Sequence, residues 1–170
     1  MRTAVLAAAA GIIEKEGLAG LSVREAARRA GVSHNAPYRH FPDRDALLAA
    51  LAADSFELLT GAIENRGAGG MGEAYVRFAL EHPGRFRLMF GGQLPLERCP
   101  KLRAKAQAAL EKLQEVFAEL GTEASFAAAA AWSLVHGLAN LILDGHLGNR
   151  DDFVKRVLGA IRFTVGGKRS

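Results

Sequence analysis

The side chains best suited to chemical recognition in this 170-residue chain lie together in the stretch GVSHNAPYRHF, residues 31–41. Two histidines, an asparagine, an arginine and a tyrosine occur there, and all of them can donate hydrogen bonds. A proline lies among them, although proline inside a helix removes a backbone hydrogen bond and costs about 3 kcal/mol. The stretch therefore offers hydrogen-bond donors on a backbone that proline constrains.

The usual signatures of an enzyme active site do not occur elsewhere in the sequence. We find no paired carboxylates suited to a cleft, no nucleophile elbow, no metal-ligand spacing and no glycine-rich phosphate loop. The five histidines are scattered, and the single cysteine, Cys99, can form neither an internal disulfide nor a thiolate cluster. We predict a protein that is not an enzyme, needs no metal or other cofactor and resides in a reducing cytoplasm.

The composition is that of a globular protein, with 49% hydrophobic and 24% charged residues. The net charge is +4. Residues 1–50 carry seven basic and five acidic side chains, so half of the excess positive charge lies in the first third of the chain. This distribution permits a nucleic-acid partner without demanding one.

Two uncharged runs resemble membrane or export segments. The first, in MRTAVLAAAAGII, is the eleven-residue run after Arg2 and superficially matches a secretory signal, and the run 124–143 is long enough to cross a bilayer. The second run is dominated by alanine, which supplies little drive for insertion, and contains Ser125, Ser133, His136 and Asn140. We predict that both runs are buried helices and that the protein has no membrane partner.

Apolar residues recur at three- and four-residue steps along the chain, and no segment alternates with period two for long, which predicts an all-α fold. Ser22 and Glu25 have the spacing of a capping box, and Gly31 is placed to end that helix in a left-handed conformation. Ser33 is the expected N-cap of a short helix, and Asp43 that of a long one. The apolar residues expected to pack in that long helix are Leu47, Leu48, Leu51, Phe56, Leu58 and Leu59.

A capped helix, a glycine turn and a second short helix behind a supporting helix form the organisation of a helix-turn-helix domain. A three-helix packing unit with no ligand has the same spacing. The spacing therefore leaves both interpretations open.

The segment LSVREAARRAGVSHNAPYRHFPDRDALLAAL resembles the DNA-binding domain of the tetracycline-repressor (TetR) family of bacterial transcription regulators. The motifs EGLAGLSVREAARRAGVS, YRHF and DALL carry this resemblance, which covers about residues 3–52. Asn35 and Pro37 depart from the family pattern, and the polar arm that many relatives carry before the first helix is missing. The resemblance implies a helix-turn-helix domain at 1–47 and a helical-bundle domain for ligand binding and dimerisation at 48–170.

The resemblance also implies that the short helix 33–39 enters the major groove of DNA. Its base-edge candidates are His34, Asn35 and Arg39, because these side chains can pair with purine edges. Pro37, in the first turn after the Ser33 cap, would restrict the entry to that helix. The candidates for phosphate contacts are Ser22, Arg24, Ser33, Tyr38, His40 and Arg44, with packing on the domain core as the alternative role of Tyr38 and His40.

In the second domain, AWSLVHGLANLI resembles family members whose regulatory domain is named for a Trp-His-Gly motif, here Trp132, His136 and Gly137. Because Trp132 and His136 are four residues apart they share a helix face, where they either brace the bundle or contact a ligand. We expect a small, largely apolar, uncharged effector, since few charges are available to a pocket. The candidate lining residues are Tyr75, Phe78, Phe86, Met89, Phe90, Leu113, Phe117, Trp132, His136 and Asn140.

Helices at about 123–147 and 151–165 are the expected dimer interface, two from each subunit in a four-helix bundle. The family implies a repressor that binds a palindromic operator in double-stranded DNA as a homodimer and is released by its effector. The alternative is a helical interaction module or small-molecule-binding protein without specific operator binding.

Overall fold

A computed structural model describes residues 1–64, 66–148 and 151–165, and these residues form eight α-helices and no strand. The all-α prediction is confirmed. The helices are α1 Arg2–Glu16, α2 Val23–Arg29, α3 Arg44–Ile63, α4 Ala68–Glu81, α5 Pro83–Phe90, α6 Pro100–Glu115, α7 Ala124–Leu143 and α8 Asp151–Val165. Short 3₁₀ helices lie at Leu18–Gly20, Ala36–Arg39, Leu96–Arg98 and Ala118–Glu123.

The chain divides into two compact units. The first contains Met1–Leu58 and His82–Ala108, and the second contains the described residues of Leu59–Glu81 and Ala109–Ser170. The expected domain boundary between residues 47 and 48 is a prediction from sequence. The compact units follow a different division, because α5 packs on α1 and α3 is shared between the units.

In the first unit, α2 begins and ends as the sequence predicts. The Ser22 hydroxyl accepts a hydrogen bond from the Glu25 amide at 3.1 Å, which caps the helix. At the other end Gly31 has a φ of +66°, and the amides of Gly31 and Val32 bond to the carbonyls of Arg28 and Ala27. This Schellman arrangement turns the chain sharply out of α2 at a position that glycine occupies without strain.

The carboxylate of Glu25 has a different partner from the one that a capping box requires. Its oxygens accept hydrogen bonds from Arg28 and Arg29 at 2.7–2.8 Å rather than from the Ser22 amide. Hydrogen bonds from Arg28 and then Arg29 lower the pKa of Glu25 to about 2. Arg29 also pairs with Glu16 of α1, so both arginines are engaged within the protein.

The helix expected at 33–39 is shorter than predicted and starts later. Residues 34 and 35 form a turn, the 3₁₀ helix Ala36–Arg39 follows, and Asn35 rather than Ser33 occupies the N-cap position. Ser33 contributes its carbonyl, which accepts from the Ala36 amide at 3.1 Å. Pro37 is therefore the second residue of the helix, where an amide would have no intrahelical partner, so it removes no helical hydrogen bond.

Helix α3 begins at the predicted cap, since the Asp43 carboxylate accepts from the Ala46 amide at 2.7 Å. The prediction for its apolar face is wrong at one position, because Leu58 is 44% exposed. At 100° per residue Leu58 projects between Leu47 and Leu51, which are both buried, so the helical periodicity does not explain its exposure. Leu47, Leu48, Leu51, Phe56 and Leu59 are buried as predicted.

Helix α5 is attached to the first unit at its N-terminus. The two carboxylate oxygens of Glu14, on α1, accept from the amides of Gly84 at 2.7 Å and Arg85 at 3.1 Å. The Arg85 guanidinium donates to Asp54 at 2.8 Å and to the buried hydroxyl of Ser55 at 3.0 Å, both on α3. A negative charge at a helix N-terminus is favourable, and here it fixes α5 against α1.

The second unit packs α4, α7 and α8 around one apolar cluster. It comprises Val76 of α4, Leu138 and Ile142 of α7, and Val154 and Leu158 of α8, with Leu80, Val135 and Val157 against it. Helix α7 ends at Leu143, four residues before the predicted end, and Gly145 takes a left-handed turn with φ +77°.

Two segments are long and apolar enough to span a membrane by length and composition, Arg44–Ile63 and Ala118–Leu143. This is weak evidence for a span, because a core helix has the same length and hydropathy. In the most apolar 18-residue stretch of each segment, 44% of the first and 22% of the second is buried within the chain. The second segment therefore carries more exposed apolar surface than the first.

We predict that Gly84→Ala destabilises the first unit by about 1–3 kcal/mol. A Cβ at this position would lie 2.6 Å from the backbone oxygen of Ile13, so α5 would have to leave its place on α1. Urea denaturation measures the change. The matched control is Gly11→Ala in α1, where a Cβ would meet nothing within 4 Å. This substitution should raise the free energy of unfolding by about 0.5–1 kcal/mol, because alanine is favoured over glycine inside a helix. Equal stability of the two variants would contradict the close approach.

Candidate nucleic-acid interface and effector site

The residues 33–40, which we term the 33–40 turn, form an exposed polar surface on the first unit. The side chains of Ser33, His34, Asn35, Arg39 and His40 are exposed, and Tyr38 is 38% exposed. The structure thus brings the predicted base-edge residues together within one short segment. Their amide, imidazole and guanidinium groups are donors suited to purine edges and phosphate oxygens.

The Pro37 side chain faces the interior of the first unit. Its ring is fully buried, so a direct DNA contact by this side chain is ruled out in this conformation. Its carbonyl accepts hydrogen bonds from the amides of His40 and Phe41, both at 2.8 Å. Pro37 and the buried Phe41 therefore anchor the 33–40 turn to the core, and their polar neighbours point outward.

The guanidinium of Arg44 is engaged within the protein. Its Nε donates to the Leu21 carbonyl at 2.9 Å and its Nη2 to the Leu18 carbonyl at 2.6 Å. These bonds tie the first residue of α3 to the segment before α2. Arg44 therefore helps to hold the helix-turn-helix together, and the phosphate contact expected of this exposed residue stays a prediction. No sequence pattern points to its carbonyl partners, which lie more than twenty residues away along the chain.

At the start of α2, Ser22 and Arg24 are exposed. The Ser22 hydroxyl accepts from the Glu25 amide, and its own hydrogen can still be donated to a phosphate. Arg28 is ion-paired with Glu25, and Arg29 is ion-paired with Glu25 and Glu16.

In the second unit, three predicted residues form a hydrogen-bonded trio. The Trp132 indole Nε1 donates to the Tyr75 hydroxyl at 3.0 Å, and that hydroxyl lies 2.8 Å from Nδ1 of His136. The indole is only a donor, so the Tyr75 hydroxyl accepts from Trp132, and the tautomer of His136 decides whether that hydroxyl donates to Nδ1 or accepts from an Nδ1–H. The Trp132 and His136 rings also meet edge to face at 5.9 Å.

Burial keeps this trio uncharged. It lowers the pKa of His136 and raises the pKa of Tyr75 well above its usual value, because both charged forms lose hydration. Trp132 and His136 thus brace α7 against α4, as one of the two sequence interpretations proposed. Asn140 uses its amide nitrogen to donate to the His136 carbonyl at 2.9 Å within the same helix.

The other predicted effector residues are divided between the two units. Phe86, Met89 and Phe90 belong to the first unit, where Phe90 packs on Phe86 at 5.1 Å and on Phe56 at 5.6 Å. Phe78 is buried in the second unit, and Leu113 and Phe117 are half-buried there. The sequence pattern could not separate them, since a core aromatic and a pocket aromatic have the same helical spacing.

A groove of about 370 Å³ lies between α4 and α8, and the predicted effector residues are not among those that line it. Its walls include the charged side chains of Glu73, Arg77, Glu81 and Lys155 around Val76, Leu80 and Val154. Among the described residues, no group of three or more His, Cys, Asp or Glu side chains could hold a metal ion.

The capped α2, its left-handed glycine turn and the anchored, exposed 33–40 turn define a helix-turn-helix DNA-binding protein. Residues 5–51 match the profile described as bacterial regulatory proteins, tetR family, and residues 68–161 match the tetracyclin repressor-like C-terminal domain. The chain belongs to the TetR family of transcriptional regulators. The Trp-His-Gly subtype stays a prediction.

Solved structures support the same fold. A protein of unknown function from Rhodococcus sp. RHA1 is 35% identical, with a TM-score of 0.83 over 96% of this chain and 92% of that chain. A transcriptional regulator from Rhodococcus sp. Rha1 has 22% identity, a TM-score of 0.73 and coverage of 97% and 94%. The TetR family regulator PfmR from Thermus thermophilus has 22% identity, a TM-score of 0.64 and coverage of 95% and 96%. No curated protein sequence matches the chain.

We predict that stability falls as the pH drops below about 6.5, the ordinary histidine pKa. Since burial lowers the folded-state pKa of His136, the unfolded state binds a proton first. The free energy of unfolding then falls by at most about 1.4 kcal/mol per pH unit, until the pH passes the folded-state pKa. Urea denaturation between about pH 5.5 and 7.5 measures this slope.

The His136→Asn variant should lose this part of the pH dependence, because the amide does not titrate. The control Trp132→Phe removes a hydrogen bond to Tyr75 but keeps the titrating ring, so it should lower stability at every pH and retain the slope. Parallel slopes for the native chain and His136→Asn would contradict the assignment.

Proposed function

We propose that this protein is a homodimeric repressor that binds an inverted-repeat operator and is released by a small, largely apolar effector. The observation that carries the proposal is the 33–40 turn, whose donors are exposed while Pro37 and Phe41 fix its backbone. A fixed backbone supports base recognition, because the side chains then meet the groove in one register. A cytoplasmic location follows from this role.

In the bound state, the 33–40 turn lies in the major groove. Arg39 is suited to guanine O6 and N7, Asn35 to adenine N6 and N7, and His34 to a purine acceptor. Ser22, Arg24, Tyr38 and His40 contact the phosphates beside it and set the register without reading sequence. In a two-fold dimer these turns lie one helical turn of DNA apart, about 34–36 Å.

The dimer interface is proposed on the exposed face of α7. Phe126 is 69% exposed, Leu134 40% and Leu141 45%, and their spacing of eight and seven residues aligns them on one helix face. Gly137 lies between them, where a Cβ would meet nothing within 4 Å. An aligned apolar face with little bulk at its centre suits close packing against a second helix. The α8 part of the expected interface includes residues 161–165, whose side chains lie outside the described residues.

Effector binding is assigned to the second unit, near the Tyr75–Trp132–His136 trio. Here the trio supplies oriented polar groups beside aromatic side chains, the composition expected of a pocket for a mostly apolar ligand. An effector that weakens operator binding must itself bind more weakly to the DNA-bound dimer, because linkage is reciprocal.

Selection of bound sequences from a pool of random duplex DNA tests the proposal. A repressor should enrich a palindrome and bind it at least about 10³-fold more tightly than random duplex, with affinity that falls steeply with salt. A flat salt dependence with no enriched site would favour the interaction-module alternative.

On the selected operator, Asn35→Ala and Arg39→Ala should each lose about 1–3 kcal/mol of discrimination at one base pair per half-site. Fluorescence anisotropy against operators substituted at single positions measures this loss. The control Arg28→Ala removes an ion-paired arginine of α2 and should leave the base preference unchanged. A uniform loss on all duplexes would instead mark Asn35 or Arg39 as a phosphate contact.

The double variant Phe126→Glu with Leu134→Glu should convert the dimer into a monomer, because it places charges on the proposed α7 interface. Analytical ultracentrifugation should report half the mass of the native particle, and circular dichroism should show retained helix. A matched variant, Ala108→Glu on an exposed part of α6, should remain dimeric. A double variant that stays dimeric would place the interface elsewhere.

A further inference from the structure

We propose that Arg2, the first residue of α1, is a DNA-phosphate contact held beside the 33–40 turn by the ring of Phe41. This inference rests on the proposed function and adds a contact outside the helix-turn-helix itself. Arg2 also lies outside residues 5–51, the part of the chain that matches the DNA-binding family profile.

The geometry begins with the ring. The guanidinium carbon of Arg2 lies over the Phe41 ring, 5.9 Å from its centroid, while the Arg2 residue as a whole is exposed. A cation at this distance from an aromatic face is attracted by the ring quadrupole. The long and otherwise mobile arginine side chain is thereby given a preferred position at the surface.

Phe41 links that position to the proposed DNA surface. Its amide donates to the Pro37 carbonyl at 2.8 Å, and its ring lies 6.2 Å from the ring of His40. The ring is buried, so its place is set by the core and the 33–40 turn together. Arg2 is therefore positioned over Phe41, the residue that directly follows the 33–40 turn.

The cation–π contact engages the charge and face of the guanidinium and leaves its N–H donors, which lie in the guanidinium plane, open to another partner. Five such donors in a rigid fork match a phosphate better than a base edge that varies with sequence. Arg2 and His40 would then contact the backbone that flanks the base pairs read by the turn. A phosphate contact of this kind strengthens binding to every duplex equally.

The test compares Arg2→Gln, Arg2→Lys and the native chain on the selected operator and on random duplex, across a range of salt concentrations. Each phosphate contact makes the slope of the logarithm of the binding constant against the logarithm of salt concentration steeper by about 0.9. Arg2→Gln, which removes one contact from each subunit of a dimer, should therefore make the slope shallower by about 1.8. At about 0.15 M salt this corresponds to an affinity about 30-fold lower for both the operator and random duplex. Arg2→Lys should keep most of the slope because it keeps the charge.

Lys105→Gln is the matched control for net charge. Lys105 lies in the same unit but pairs with Glu57, about 20 Å along α3 from Arg44, so its loss should leave the slope unchanged. Thermal unfolding of each variant checks that Arg2→Gln remains folded. Arg2→Lys should restore most of the salt dependence that Arg2→Gln loses.

An unchanged slope in Arg2→Gln would overturn the inference, and so would a loss confined to the operator, which would mark a structural or base-reading role. These results differ from failure of the proposed function. In that case the native chain itself would show no preferred site, while its binding to random duplex would still report whether Arg2 contacts phosphate. A native chain that binds no duplex at all would overturn both.

Discussion

Burial of Pro37 and Phe41 is the constraint that fixes the 33–40 turn, which is the proposed DNA-binding surface. Both side chains are fully enclosed, and both belong to a segment whose other residues are largely polar. Because these two rings fix the backbone between residues 37 and 41, Tyr38, Arg39 and His40 must face outward. A proline that would break an ordinary helix is compatible here, since the second residue of a 3₁₀ helix needs no amide partner.

Around this anchor, several polar interactions hold backbone segments in place where apolar packing does not reach. Arg44 binds two carbonyls before α2, Glu14 binds two amides of α5, and Ser22 caps α2. Each joins a charged or hydroxyl group to backbone groups that a helix end or turn leaves unpaired. Residues that a sequence pattern would assign to DNA or solvent therefore also hold backbone segments in place.

The second unit uses a partly buried polar trio in the same way. Tyr75 on α4 joins Trp132 and His136 on α7 by hydrogen bonds, and burial favours the neutral form of the histidine. The opposite pKa shifts of Tyr75 and His136 have one cause, loss of hydration, and both favour that neutral state. The α4–α7 contact is thus specified by hydrogen bonds as well as by the apolar cluster with α8.

The sequence by itself determined the all-α class, the caps at Ser22 and Asp43, the left-handed turn at Gly31 and the segment that carries the base-edge candidates. These features depend on spacings of three or four residues or on one residue's backbone preference, and both are written directly in the chain. Tertiary structure decided the partners of Arg44, Glu14 and Tyr75, the burial of Pro37, and the compact unit to which Phe86 and Phe90 belong. Those outcomes depend on which groups meet across distant segments, and residues with identical local spacing can meet either the core, a carbonyl or the solvent.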